Sequence, residues 1–297
     1  QHFESFVDRF DGMNLNIKLL TRESKSEAKK VLQGMKSGDV DIVIGTHRLI
    51  QKDITFSNLG LMVVDEEHRF GVKQKEDINK QRGVVDILSL SATPIPRTLS
   101  LTMHGIRDIS TIRTAPQKRL AVRTQVTEYN DADVVDAIRR EIGRGGQVFY
   151  VFNDTQAIEA KSNIIKELVP EAEIDYAHGK MQEREMHDVM QRFRANEFNV
   201  LVATTIIETG IDVPNANTII IDEAENLGLA QMHQLRGRVG RSSKQAYAYL
   251  MYSEGANLTE KAEMRLKAMS ENNNLGGGFK ISNADLEIRG AGEVLGE

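Results

Sequence analysis

Three clusters of residue types in this chain could do chemistry. Val63-Val64-Asp65-Glu66-Glu67-His68 sets a pair of carboxylates at the end of an apolar run. The C-terminal edge of an open α/β sheet is where ligands bind, and a buried strand seldom ends in three acids without something to offset the charge. A magnesium ion with nucleotide phosphates would offset it, Asp65 reaching the metal through water and Glu66 polarising an attacking water. A solvated acidic loop is the competing reading. Gln234-Leu235-Arg236-Gly237-Arg238-Val239-Gly240-Arg241 places three arginines and two glycines within eight residues. Guanidinium groups are preferred partners of a developing phosphoryl charge, and glycines let backbone and ligand approach closely. A solvated basic loop is the alternative here. The third cluster, Ser91-Ala92-Thr93-Pro94-Ile95-Pro96-Arg97, follows another apolar run in the same half as the acids.

The elements that must position these clusters read as short β-branched runs alternating with helical patterns, the signature of parallel sheets with crossover helices. In the first half, strands are expected at Ile17–Leu20, Asp41–Ile44, Leu61–Val64, Asp86–Leu90 and Asp108–Ile112, with a helix over Glu23–Met35. Thr114–Arg119 is polar and aperiodic, and reads as a linker. A second series follows, with strands at Leu120–Val126, Gln147–Val151, Glu173–Tyr176, Val200–Ala203, Thr218–Ile221 and Ala246–Met251. Met186, Val189, Met190 and Phe193 fall at i, i+3, i+4 and i+7 of a helix over 181–195, one apolar face for a sheet. A charged helix, Thr259–Met269, precedes the turn Asn272–Gly278 and a short final segment, Asp285–Gly296.

Composition closes off other classes. The 297 residues contain no Cys, so disulfides, thiolate metal sites and cysteine nucleophiles are excluded, and a reducing cytoplasm is the default expectation. With 40% apolar and 27% charged residues the chain is that of an ordinary globular protein of about two domains. No run approaches the roughly 18 apolar residues of a membrane span. Residues 1–115 carry 17 basic and 15 acidic side chains, and 116–297 carry 21 and 28, so any nucleic acid must be held by local patches rather than by overall charge.

Taken in order, the boxes resemble those of superfamily-2 helicases and translocases. Asp65–His68, Ser91–Thr93, Ala203–Asp212 and Gln234–Arg241 match the acidic, SAT, TGID and QxxGRxGR boxes, Val148–Asp154 a first strand box, and Gly45–Leu49 a DNA-contacting box. Asp65–Val72 with Ala92–Leu99 is similar to two families of bacterial double-stranded DNA translocases, the transcription-repair coupling factors and the fork-remodelling branch-migration helicases. Glu67, Arg107–Ser110 and Asp285–Gly292 resemble the coupling factors more.

The resemblance implies an α/β fold of two RecA-like parallel-sheet domains, over 1–115 (N-terminally truncated) and 116–254, with a helical hairpin and loop over 255–297 that couples hydrolysis to movement on DNA. ATP and Mg2+ are the implied cofactors, bound between the domains. Asp65 would hold the metal and Glu66 would act on the water. Arg238 and Arg241 would stabilise phosphoryl charge, Gln234 would sense it, and Gly210 and Asp212 would line the nucleotide site. His68, Ser91, Thr93 and Arg289 would couple hydrolysis to movement; Thr46, His47, Arg48, Thr204 and Thr205 would touch DNA phosphates. The implied activity is that of an ATP-driven double-stranded DNA translocase that displaces stalled RNA polymerase and promotes nucleotide excision repair. The polymerase and the damage-recognition protein would bind through domains outside this chain. A branch-migrating fork helicase is the nearest alternative. One departure stands out: no G-x-x-x-x-G-K-[ST] loop occurs. The chain is therefore expected to begin after the first nucleotide box, to be inactive alone, and to act at most as a non-hydrolysing DNA- or partner-binding module.

Overall fold

The computed structural model describes residues 2–20, 25–51, 53–67, 70, 71, 74, 76–78, 85–91, 108, 110, 112, 120–208, 213–272 and 278–289. The chain divides into two compact units, residues 1–92 and 93–297. The expected boundary near 115 falls outside the described residues.

The first unit contains α1 (His2–Arg9), β1 (Ile17–Leu20), α2 (Lys25–Ser37), β2 (Ile42–Gly45), a 3-10 turn (His47–Ile50), β3 (Leu61–Asp65) and β4 (Asp86–Leu90). Ala28, Val31, Leu32 and Met35 recur at helical spacing on α2 and pack with Leu20, Val43 and Leu49. β1 pairs β2 in parallel, and β3 pairs β4 in parallel from Leu61↔Asp86 to Asp65↔Leu90. Val64 is buried, whereas Leu61, Val63, Leu88 and Leu90, alternating onto the opposite face, are exposed. The strand expected over Asp108–Ile112 lies partly outside the described residues; Asp108, Ser110 and Ile112 belong to no regular element.

The second unit is built on a six-stranded, all-parallel sheet, in the order β5 (Arg123–Glu128), β10 (Tyr247–Tyr252), β9 (Ala216–Ile221), β6 (Gln147–Val151), β8 (Val200–Ala203), β7 (Ile174–Ala177). Its central strands are buried on both sides, the pattern of a parallel sheet covered by crossover helices. On one face Val148, Tyr150, Val200 and Ile220 pack in a cluster with residues of α3 (Asp131–Gly143) and α4 (Ile158–Leu168). On the other Phe149, Val151, Leu201 and Ile219 meet α5 (Glu183–Arg194), where Val189 and Phe193 are buried and Met190 packs beside them. Of the apolar stripe expected on that helix, Val189, Met190 and Phe193 are thus core, and Met186 is half-buried.

Three more helices follow on that second face: α6 (Leu229–Arg236), α7 (Glu260–Glu271) and α8 (Gly278–Arg289). Asn130 caps α3 by accepting from the Asp133 amide at 2.8 Å, and Thr259 caps α7 by accepting from the Ala262 amide at 3.2 Å. α6, α7 and α8 pack on one another around Met232, Leu235, Leu266, Met269 and Ile281. The helical pair expected over 255–297 is therefore part of the second unit and lies against the helix that leads into the arginine cluster.

Candidate active site

In the first unit the acids stand where the strand pattern puts them. Asp65 is the last residue of β3, its side chain 49% exposed, with the His2 imidazole Nε2 at 3.3 Å from Oδ2. The Glu66 amide donates to the Leu90 carbonyl at 3.0 Å, extending the ladder by one bond. Glu66 then adopts φ +50°, a left-handed conformation uncommon for a side chain of its kind and concentrated at functional turns. Because Asp65 is in register with Leu90, the paired strands end together, and Glu66 leaves one as Ser91 leaves the other. Glu66 of the acidic box and Ser91 of the SAT box are thus brought close by strand pairing. His68 and Thr93 lie outside the described residues.

Thr46 precedes the 3-10 turn that carries His47 and Arg48, after β2. Arg48 forks onto Asp53, Nη1 to Oδ1 at 2.6 Å and Nη2 to Oδ2 at 2.5 Å, and Nη1 also donates to Gln51 Oε1 at 2.7 Å. These hydrogen bonds hold the Asp53 carboxyl below the usual carboxylate range and raise Arg48. A DNA phosphate recruited by Arg48 would have to replace Asp53.

In the second unit the arginine cluster straddles the end of α6. Gln234, Leu235 and Arg236 are buried on its last turn, Arg238 is half-buried in the turn beyond, and Arg241 is exposed. Gly240 sits at φ +75°, and a Cβ there would meet the Val122 and Ala246 side chains at 3.1 and 3.3 Å. Only glycine suits that bend, which lets Arg238 and Arg241 follow a buried helix within five residues.

Thr204 is 4% exposed and its amide donates to the Ala177 carbonyl at 3.3 Å. Thr205 opens a short 3-10 turn and donates from Oγ1 to Asn153 Oδ1 at 3.3 Å, joining the box after β8 to the box after β6. Of the two, Thr205 is nearer the surface. Gly210 and Asp212 lie outside the described residues, as does the side chain of Arg289, which ends α8.

Two buried polar groupings around these boxes go beyond what the sequence marks: Asp222, which no box singles out, and Arg236, which the sequence marks only as one of three arginines. Asp222, just after β9, accepts from the Tyr150 hydroxyl at 2.7 Å and pairs with Lys161 Nζ at 2.7 Å. Burial, followed by the Asp222 charge, raises the Tyr150 phenol well above its ordinary range. Arg236 donates from Nη1 to the Met269 carbonyl at 3.3 Å and to Thr124 Oγ1 at 3.4 Å, and its Nη2 lies 3.1 Å from His233 Nδ1. Burial lowers Arg236 to about 10; burial, then the Arg236 charge, lowers His233 to about 4. His233 is therefore neutral and Nδ1 is the acceptor. The signal for Arg236 was its place in the stripe Met232, Leu235, Arg236, where a charged residue stands at a core position.

The donor set at Asp65 fits magnesium. An exposed carboxylate oxygen is a hard ligand of the kind Mg2+ takes one or two of, leaving its other positions to water and phosphate. Among the described residues no three His, Cys, Asp or Glu side chains converge on a protein-made cage, and this mode of binding needs none.

Comparison with known proteins gives the class and then the particular branch. Residues 1–102 match the family "DEAD/DEAH box helicase" and residues 132–243 the "Helicase conserved C-terminal domain". Two RecA-like domains of a helicase, a class that works with ATP, are thus what the parallel sheets and their boxes compose. The chain is 54% identical over 297 residues to the transcription-repair-coupling factor of Haemophilus influenzae and 53% to that of Bacillus subtilis, covering all of itself and 26% and 25% of those relatives. The structure of RecG bound to a three-way DNA junction matches 99% of the chain and 39% of RecG, with a TM-score of 0.76 and 38% identity. Over its whole length the chain matches the helicase-motor region of the transcription-repair-coupling factors, and it spans about a quarter of those relatives' length.

Proposed function

We propose that this chain is the core of an ATP-driven motor that moves along double-stranded DNA and, in its parent protein, displaces stalled RNA polymerase so that excision repair can begin. The observation that carries the reading is identity above 50%, running unbroken through both helicase domains and the α7–α8 pair, to proteins that couple transcription to repair. Polymerase and the damage-recognition protein would bind through parts of the parent outside this chain, and the work would be done in the cytoplasm. Among the described residues, no helix is long and apolar enough to cross a membrane.

The chemistry follows from the residues present. Asp65 would hold magnesium, which would supply neutralisation of charge on the nucleotide phosphates. Glu66, adjacent to Asp65 at the strand end, orients the attacking water and accepts its proton. Arg238 and Arg241 stabilise the charge that develops on the transferring phosphoryl group, and Gln234, buried one turn earlier, registers its departure. Gly210 and Asp212 line the nucleotide. His68, Ser91, Thr93 and Arg289 pass the change to the DNA contacts, which are backbone contacts at Thr46, His47, Arg48, Thr204 and Thr205 that position without specifying sequence.

The test is ATP-dependent displacement of a stalled RNA polymerase from duplex DNA by the parent protein, with Glu66→Gln alongside. Displacement by the unaltered protein and its loss in Glu66→Gln support the reading. The likeness to RecG favours a second reading, branch migration at replication forks. It takes the lead if duplex DNA stimulates ATP hydrolysis while polymerase stays in place.

A further inference from the structure

β5 is an edge strand of the second unit's sheet. Among the described residues it pairs β10 alone, in unbroken register over six residues and without a proline. The Arg123 amide donates to the Ala246 carbonyl at 3.0 Å, and the Tyr129 amide to the Tyr252 carbonyl at 2.8 Å. Peptide groups along a strand alternate sides, so those of Thr124, Val126 and Glu128 point away from the sheet. Such a row is a template for another strand unless something blunts it. The opposite edge is blunted by its length: β7 has only four residues, and its Asp175 is held by Arg192 at 2.8 Å.

A groove of about 520 Å³ runs along the β5 edge. Arg123 and Gln125 line it from one face of the strand and Thr124 and Val126 from the other, with Arg140 of α3 and Ser270 of α7 as its rims. Lining drawn from both faces and from both helix layers centres the groove on the backbone of β5. The rim at α3 is cationic. The Arg140 guanidinium lies 3.6 Å over the Tyr247 ring and donates to the Tyr249 hydroxyl at 2.7 Å, contacts that fix its direction without cancelling its charge. No acidic side chain lines the groove, although this half of the chain is acidic in balance.

A strand laid here would alternate as β5 does. Its side chains toward α3 would meet Arg123 and Arg140, whose planar guanidiniums match carboxylates. Those toward α7 would meet Thr124, Val126 and Ser270, which suit small or apolar groups. The size of the groove fixes the source. Thr124 and Val126 supply its only outward peptide groups among the described residues, too few main-chain bonds to offset the freedom lost by a separate protein. A tethered segment escapes most of that cost. About three quarters of the relatives' length lies outside the region this chain matches.

We propose that an extended segment of the parent protein, outside this chain and alternating acidic with small or apolar residues, adds to β5 as a seventh strand. This is strand addition at a sheet edge, with main-chain bonds giving the hold and the two arginines giving the register. It adds a docking surface to the motor and does not depend on the motor's chemistry.

The experiment uses the purified parent protein with a benzophenone side chain introduced at Gln125. After irradiation, adducts are mapped by peptide mass spectrometry. The expected adduct joins this position to a segment of the same molecule outside residues 1–297, with acidic residues at alternate positions. Arg123→Glu should lower its yield by about fivefold or more, and replacing the acids of the mapped segment with lysine in that variant should restore it. If Arg123→Glu does not fold, Arg140→Gln carries the test, with a loss of about twofold or more. Adducts confined to residues 1–297, adducts joining two parent molecules, or none until another protein is supplied overturn the proposal. So does a yield indifferent to both arginine variants, or a loss that charge reversal fails to restore.

Discussion

Replacing His233 with Asn tests the buried Arg236–His233 contact through its protonation. The imidazole sits 3.1 Å from the Arg236 guanidinium, and burial with that neighbouring charge lowers its pKa from 6.5 to about 4. With the folded value depressed, the unfolded chain binds a proton between these two values that the folded chain does not. Stability is therefore unaffected above about pH 6.5 and is lost as pH falls below it, at about 1.4 kcal/mol per unit and about 3 kcal/mol in all by pH 4. Against a typical total of about 5–15 kcal/mol that is a large fraction. The Asn amide oxygen can accept from Arg236 in place of Nδ1 and does not titrate, so His233→Asn should remove this slope. The check is urea unfolding of the chain at pH 7.5, 6.0 and 5.0, followed by ellipticity. At pH 5.0 the variant should be favoured over the unaltered chain by about 2 kcal/mol relative to their difference at pH 7.5. Identical acid slopes, or an NMR titration placing His233 near 6.5, would refute the argument for a neutral acceptor.

Two further outcomes follow from single side chains. Arg241 is exposed, so Arg241→Ala should leave the melting temperature of the chain within about 2 °C, while duplex-stimulated ATP turnover in the parent falls by about 10³ or more, the usual loss for a phosphoryl-charge arginine. Gly146→Ala should do the reverse. A Cβ there would lie 1.7 Å from Glu141 Oε1, and Glu141 is fully buried, paired with Arg144 and accepting from Thr218 Oγ1 at 2.5 Å. Displacing that carboxylate should cost about 3 kcal/mol, read as a lowered urea midpoint, with no specific effect on turnover in the variant that remains folded.

What the sequence made legible follows from which forces act locally. Ile17–Leu20 and Asp86–Leu90 fall where their apolar runs put them, and Val189, Met190 and Phe193 of the stripe on α5 are core, because burial is written into residue type and spacing. Boundaries slipped where pairing decides them. The strand expected from Leu120 begins at Arg123, because its neighbour β10 starts at Tyr247 and the two are in register there. No local signal carries the sheet order, since every neighbour in β5-β10-β9-β6-β8-β7 is set by contacts between distant segments. The same division runs through the site. Asp65, Glu66, Arg238 and Arg241 offer themselves as candidates because charged groups at strand and helix ends are conspicuous, and the structure places them at such ends. Arg236 was not singled out, because its residue type announces a surface and only its neighbours Met232 and Leu235 announce a core. A cation at a core position needs acceptors, and here one of them is the orphan carbonyl of a helix that the chain reaches thirty-three residues later. The three arginines of one short box thus separate by burial into two kinds, and the buried one ties the box to the helices packed against it.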